Sequence, residues 1–496
     1  SLPIISPRQV IGYSSETPVP LTYGQQRIWM MELLNPGSAA FNMPGAFNVT
    51  GELDLSVFES VMGDIVRRHE SLRTHFTVDD QGDAFMVAAN PDDNWCLPVV
   101  DLRGFSKEAD LLKAEIDTIL RGNETTPFDL LCGPLFRVKV LILPDQEGKP
   151  HHTIMFCMHH IVSDGRSVEV LTQEIAKGYL NNRSGEPYSS DLPIQYADYA
   201  LWQRTHLDNS LIDKQLAYWE KTLDGCASFL HLPTDFPRPA QQTTSGNRIQ
   251  VAFPDEFSAS LTSVSAEQGV TPFMFMLTAY QLLLSQYAQQ DDVLVGIPMA
   301  GREHADLQDV IGFFINSVVI RGDMSDNKTV SSLLQNTREH VLDAFANYDV
   351  PAEKVLQVLD FERSPAFPPL VQVAFQLLQS LDQGAAGKAA PGNAPGNASL
   401  DERSGNASYP LIFENLGLEK VDAKLDMTLE LRMTENGVTA FLEYNTDLFT
   451  QNTITTFLDN YIALAQSMIE NIDSPSRSLE WLSEEQLMMA LNLDPV

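Results

Sequence analysis

Positive charge is scarce in this chain. Its 32 Lys and Arg stand against 66 Asp and Glu, a formal net charge of −34, and no Lys/Arg-rich run interrupts the acidity. Nucleic acid and anionic membrane are therefore poor candidate partners, because both are held through concentrated basic side chains. Cysteine is also sparse: Cys96, Cys132, Cys157 and Cys226 lie far apart, with neither metal-ligand nor redox spacing, so a reduced, cytoplasmic setting is expected. No apolar run reaches the ~18–20 residues that cross a bilayer. The first residues lack a signal-peptide pattern, so Asn-x-Ser/Thr triplets such as Asn397-Ala398-Ser399 carry little weight as glycosylation sites. A Gly-x-Ser-x-Gly nucleophile elbow is missing too, which removes the simplest route to a hydrolase-like triad.

What is present is enough chain, 496 residues, for roughly two to four units of ~100–200 residues; two large halves are the working assumption. Residues 1–20 are rich in Pro and Ser and read as an entering linker. Residues 21–34 and 58–69 have the spacing of helices, and residues 68–76 read as a solvated helix end leading into a strand. Leu112, Ile116 and Ile119 mark another helix, and residues 135–143 alternate as a strand does. A polar, turn-rich stretch at 180–191 is the expected boundary between halves, and residues 231–247, with three prolines, read as a surface connector. Beyond it, Thr271 and Pro272 make a helix start, 293–298 a short strand, and Leu333, Leu334, Val341 and Phe345 mark a long helix. Residues 427–433 and 438–444 alternate on either side of Asn436-Gly437, the pattern of a hairpin. Ahead of that hairpin, 383–408 is mostly Gly, Ala, Asn, Ser and Pro and is expected to be a flexible insertion.

The chemistry concentrates at Met158-His159-His160-Ile161-Val162-Ser163-Asp164-Gly165-Arg166-Ser167. Residues 153–158 form a continuous apolar run, read as a strand buried on both faces. From Arg166 onward Val168, Leu171, Ile175 and Tyr179 recur at helical spacing, so the polar cluster sits on a strand-to-helix turn. His159, His160 and Asp164 could serve as metal ligands, as a satisfied structural pair, or in acid/base catalysis. Adjacent residues at a strand end point in opposite directions, which disfavours a shared metal. A histidine beside backbone N–H groups at a helix start suits acyl transfer, and without an accompanying nucleophile a direct transfer is favoured over a covalent intermediate.

His159-His160-Ile161-Val162-Ser163-Asp164-Gly165 resembles the His-His-x-x-x-Asp-Gly signature of the condensation domains of nonribosomal peptide synthetases, in the chloramphenicol-acetyltransferase-like superfamily. Residues 22–29, 68–76, 196–202, 311–317 and 347–351 resemble further blocks in the family's order, so the likeness covers roughly 18–488. The block Arg-Asp-x-Ser-Arg-Asn-Pro is represented only by Glu362-Arg363-Ser364-Pro365 with Phe367-Pro368-Pro369. An epimerisation domain shares the two histidines, but residues 311–321 resemble the condensing type, and a cyclisation domain would carry aspartate instead. Gln25-Gln26-Arg27-Ile28-Trp29 resembles the subtype that joins two L-configured residues.

The resemblance implies an α/β fold of two acetyltransferase-like halves, 1–185 and 186–496, forming a V-shaped pseudo-dimer with a central tunnel. It implies His160 as the catalytic histidine, with His159 and Gly165 beside it, Asp164 as a brace paired with Arg302, and Ser167, Trp202, Asn316 and Ser317 at the tunnel. No metal and no cofactor bound by the domain itself are expected. Substrates would arrive on the phosphopantetheine arms of an upstream donor and a downstream acceptor carrier domain, next to other synthetase domains, and the excised domain would be a monomer. The reaction implied is amide formation; ester formation on a hydroxyl acceptor and a non-catalytic carrier-docking role are the alternatives.

Overall fold

The computed structural model describes residues 4–7, 17–92, 95–105, 108–184, 191–206, 209–302, 304–325, 328–359, 361–379, 398–400, 411–415, 421–434 and 437–482. The mixed α and β composition expected from the sequence is what it contains. The chain forms two compact units: residues 1–208, 300–315 and 389–419 make the first, and 209–299, 316–388 and 420–496 the second.

In the first unit the organising strand is β7, Lys149–His159, which follows the strands β1 (Val19–Pro20), β2 (Asn42–Thr50), β3 (Thr74–Val78), β4 (Ala84–Ala88), β5 (Val99–Asp101) and β6 (Phe136–Gln146). A six-stranded sheet runs in the order Ala398–Leu400, Leu411–Asn415, β2, β7, β6, β5. β7 lies antiparallel between β2 and β6. Both of its faces are covered, which is why its sequence is a continuous apolar run. The first two helices in chain order are α1 (Tyr23–Leu34) and α2 (Leu55–Arg68). Ile154, Phe156 and Met158 pack with Phe58, Met62 and Ile65 of α2. Met155 faces the other way, toward Leu112, Ile116 and Ile119 of α3, Ala109–Thr125. Each such side chain contributes about 1.5–3 kcal/mol by leaving water. A separate three-stranded sheet, β1-β4-β3, completes this unit.

Several expectations are corrected here. Helix α4 runs Gly165–Ser184, so 180–184 is helical and not a turn; Tyr179, 1% exposed, anchors its last turns. The polypeptide stays in the first unit past 185, because Ile194, Tyr196, Ala200 and Leu201 share a core with Ile161, Val162, Phe313 and Phe314. Residues 300–315, assigned to the C-terminal half from sequence, also belong there, and the Ser71 hydroxyl donates to the Ile311 carbonyl. The 68–76 stretch is not solvated: His69, Glu70, Ser71, Leu72 and Thr74 are all buried. The entering linker is partly structured, since Val19 and Pro20 pair with Met86 and Phe85. Of the expected insertion 383–408, only 398–400 lies within the described residues, as a strand paired with Leu411–Asn415; the remainder lies outside them, as does Asn436.

The second unit is built on a seven-stranded sheet ordered Asn316–Asp323, Asp292–Met299, Val373–Gln379, Met427–Thr434, Gly437–Asn445, Ser245–Ala252, Val421–Asp422. The hairpin of Met427–Thr434 and Gly437–Asn445 is present in the register its alternation implies. Thr271 caps the helix Pro272–Ala288, accepting from the Met274 N–H at 3.2 Å, with Pro272 at the first position. The strand Ser245–Ala252 takes in the last three residues of the expected connector 231–247; none of its residues is fully buried, so its sequence carries no clear alternation.

Candidate active site

The signature turn is built by local hydrogen bonds. β7 ends at His159, a single 3-10 turn covers His160–Val162, and α4 starts at Gly165. Asp164 caps α4: its Oδ1 accepts the Ser167 N–H and hydroxyl, each at 2.7 Å. The cap satisfies one of the donors that a helix start leaves unpaired. Ser163 ties the turn back by donating its hydroxyl to the His159 carbonyl at 2.9 Å, and the His160 N–H donates to the Phe41 carbonyl at 2.8 Å.

The two histidines point to different surroundings. His159 is 1% exposed. Its Nδ1 accepts the Ile161 N–H at 3.1 Å, which puts its proton on Nε2, 3.4 Å from Glu32 Oε1. The rings of Phe41 and Phe128 flank it, each at 6.0 Å. His160 is partly exposed. Its Nδ1 lies 2.8 Å from the Ser163 carbonyl oxygen, which can only accept, so Nδ1 carries the proton and the neutral ring has its lone pair on Nε2. The Phe313 ring meets this imidazole edge-on, centroids 5.0 Å apart at 85°.

Asp164 faces inward. Besides the cap contacts, Oδ1 accepts from Arg302 Nη2 at 2.9 Å and Oδ2 from the Phe314 N–H at 3.2 Å. Arg302, 5% exposed, donates Nη1 to the carbonyls of Leu307 at 2.7 Å and Val310 at 2.6 Å, and its guanidinium lies 4.1 Å over the Phe314 ring. Burial pulls its pKa down and Asp164 opposes that; a guanidinium remains charged regardless. With both carboxylate oxygens occupied by donors, Asp164 is placed to brace and not to take a proton from substrate.

Ser167, expected at a tunnel wall, is fully buried in this cluster, within 3.0 Å of Arg302 Nη2 and of the Gly312 N–H. The reason is helical phase: three residues past the cap, its side chain turns back onto Asp164. Gly165 is the first residue of α4. Trp202 is on α5 (Tyr196–His206), its ring stacked on Tyr199 at 5.9 Å. Asn316 and Ser317 belong to the second unit. There Asn316 Nδ2 donates to the carbonyls of Tyr348 at 2.6 Å and Val350 at 3.3 Å, and its Oδ1 accepts the Ser317 N–H at 2.9 Å. Among the described residues no group of three or more His, Cys, Asp or Glu is placed to hold a metal, and no helix is long and apolar enough to cross a membrane.

Sequence reasoning did not single out Glu32, Phe41 or Phe313, whose roles depend on chain partners far away. Nor did it find Glu169, whose neighbours at helical spacing, Gly165, Arg166, Thr172 and Gln173, are small or polar and give no sign of its burial. Glu169 is 1% exposed; Oε2 accepts from Arg166 at 2.6 Å, and Oε1 is buried with no hydrogen-bond partner among the described residues. Burial pushes its pKa from 4.5 up to about 7 against the pull of Arg166. Between those values the folded protein holds a proton that the unfolded chain has released. This contribution to stability is therefore full at the acidic end and falls as pH rises toward 7, by about 3 kcal/mol at most at ~1.4 kcal/mol per unit. Glu169→Gln is expected to match the parent's thermal midpoint near pH 5 and exceed it at pH 8; parallel midpoints at both pH values would refute this.

A condensation-domain family model matches residues 15–489. The chain belongs to the condensation-domain family. It is 37% identical over 489 residues to a linear gramicidin synthase polypeptide of Brevibacillus parabrevis, and 32% identical over 467 residues to surfactin synthase subunit 1 of Bacillus subtilis (strain 168). Those matches cover 97% and 94% of this chain but only 9% and 12% of the relatives' length. Its fold is like that of the first condensation domain of the calcium-dependent antibiotic synthetase, TM-score 0.71 at 16% identity, covering 95% of this chain and 100% of that one. It is also like the X-domain in the complex of X-domain and OxyB from teicoplanin biosynthesis, TM-score 0.81 at 22% identity, covering 98% and 99%.

Proposed function

We propose that this chain is an amide-forming acyltransferase within a nonribosomal peptide synthetase, passing an acyl or peptidyl group from a donor carrier thioester to the amine of an acceptor aminoacyl thioester. The observation that carries it is the 2.8 Å contact of His160 Nδ1 with the Ser163 carbonyl, which leaves Nε2 as the acceptor of the partly exposed imidazole. An α-amine has a pKa of ~8 and a thioester is already activated, so full deprotonation before attack is unnecessary. Nε2 accepts a hydrogen bond from the acceptor amine. As nitrogen adds to the thioester carbonyl, Nε2 takes its proton; the C–S bond then breaks and the proton goes to the departing thiolate. Asp164 and Arg302 hold the turn and touch neither substrate.

In this reading the two units are the acetyltransferase-like halves; Trp202 in the first and Asn316 and Ser317 in the second stay candidate substrate-lining residues, while Ser167 is held against Asp164. Upstream and downstream carrier domains bring both substrates on phosphopantetheine arms, and no cofactor resides in the domain. The test is mass spectrometry of carrier-bound products after mixing the chain with loaded donor and acceptor carriers. An amide product supports the proposal. Product only with a hydroxyl acceptor would make it an ester-forming condenser, and no product with any pair would make it a docking domain; either result overturns it.

A further inference from the structure

The Ser163 carbonyl holds the Nδ1 edge of the His160 ring. A half-turn of the imidazole about its bond to the side chain would swap Nδ1 for carbon and take the lone pair away from its place. Packing against the ring opposes that turn, and the aromatic side chain set against His160 is Phe313, edge-on at 5.0 Å.

Phe313 is itself held on several sides. Its ring, 3% exposed, lies so close to α1 that a Cβ on Gly24 would come 2.7 Å from its Cε1. Its carbonyl accepts the Tyr196 hydroxyl at 2.6 Å. That commits the single Tyr196 proton, so the Thr22 hydroxyl, 3.0 Å away, is the donor to the Tyr196 oxygen. The neighbours on both sides are tied as well: the Gly312 N–H to Ser167 and the Phe314 N–H to Asp164. Gly312 lies flat on the Tyr196 ring, where any Cβ would sit 2.0 Å from Cδ2. Residues 312–314 therefore cannot slide without breaking the Asp164 cluster or moving Tyr196.

We propose that Phe313 is a positioning residue for His160, holding the imidazole with Nε2 toward the acceptor, and that the Tyr196 hydroxyl sets Phe313 in register. The consequence for turnover rests on the acyl-transfer reading; the effect on the imidazole does not. A ring displaced from a near-attack geometry loses rate steeply, while substrate binding elsewhere is untouched.

Phe313→Leu and Tyr196→Phe test this in the full chain by two measurements: steady-state amide formation, and the ring nitrogen signals of His160 in protein labelled with [15N]histidine and assigned with a His160 variant. The parent is expected to show a single Nδ1-protonated tautomer. Phe313→Leu should lower kcat roughly tenfold with acceptor KM within about twofold, and should move the His160 signals toward a tautomer average. Tyr196→Phe should do the same to a smaller extent. Should the leucine variant fail to fold, Phe313→Met and Tyr196→Phe are read by the same two measurements. Unchanged His160 signals in folded variants overturn the proposal, whether or not kcat falls. If the parent forms no product at all, the functional reading fails, and the tautomer shift still decides the role of Phe313.

Discussion

His160→Ala is expected to lower amide formation by ~10²–10⁴-fold, the range typical for loss of a positioned general base. The protein should fold normally. His160 is only partly exposed, yet its structural bond to the Phe41 carbonyl comes from backbone N–H, which alanine keeps. Ser163 also keeps its tie to the His159 carbonyl, and Asp164 its cap on α4. The lost rate should fall on kcat and on kcat/KM alike, since the contact to the acceptor's proton tightens only as the tetrahedral species forms. Near-normal turnover by the alanine variant, measured with loaded carriers, would remove His160 from the chemistry.

Arg302→Ala is expected to act on the fold first. It would leave the Asp164 carboxylate buried without its counter-charge and the Val310 carbonyl without its Arg302 donor, while the Leu307 carbonyl would keep only the Val310 N–H at 3.3 Å. Removing one partner of a buried ion pair costs about 3–5 kcal/mol, a large share of an ordinary domain's stability. Arg302→Lys should rescue little, because one ammonium cannot reach Asp164 and both carbonyls from a single position as the guanidinium fork does. Loss of activity would follow from disorder of the turn carrying His160, so it should be accompanied by a lower denaturant midpoint. An Arg302→Ala protein that folds and turns over like the parent would show that the pair does not matter.

His159 and His160 show how far a tautomer can be read from contacts. One takes a backbone N–H at Nδ1 and keeps its proton on Nε2; the other gives its Nδ1 proton to a carbonyl. Two adjacent residues of one type thus have opposite protonation patterns, and the cause lies in which backbone group each meets. Cys157, two positions before His159, is equally buried in β7, and burial pushes its thiol up to about 11. It therefore has no thiolate to offer at neutral pH.

Much of the local architecture was legible because its causes are local. The apolar run of residues 153–158 demanded a buried strand, Thr271-Pro272 a helix start, and the alternation around Gly437 a hairpin; in each the relevant neighbours are within a few residues. The signature itself, with its family resemblance, was also a property of consecutive residues. Tertiary structure decided the rest. It continued α4 to Ser184 and kept residues 191–206 and 300–315 with the first unit, because apolar side chains there complete its cores. It buried His69 through Leu72 and Thr74, in a charged-looking stretch that composition assigns to solvent. It moved Ser167 from an expected wall into the Asp164 cluster, and it set Phe313 against His160 from a remote part of the chain. Periodicity reports which face of an element is buried but not what covers it; the covering residues come from remote segments, and only folding chooses among them.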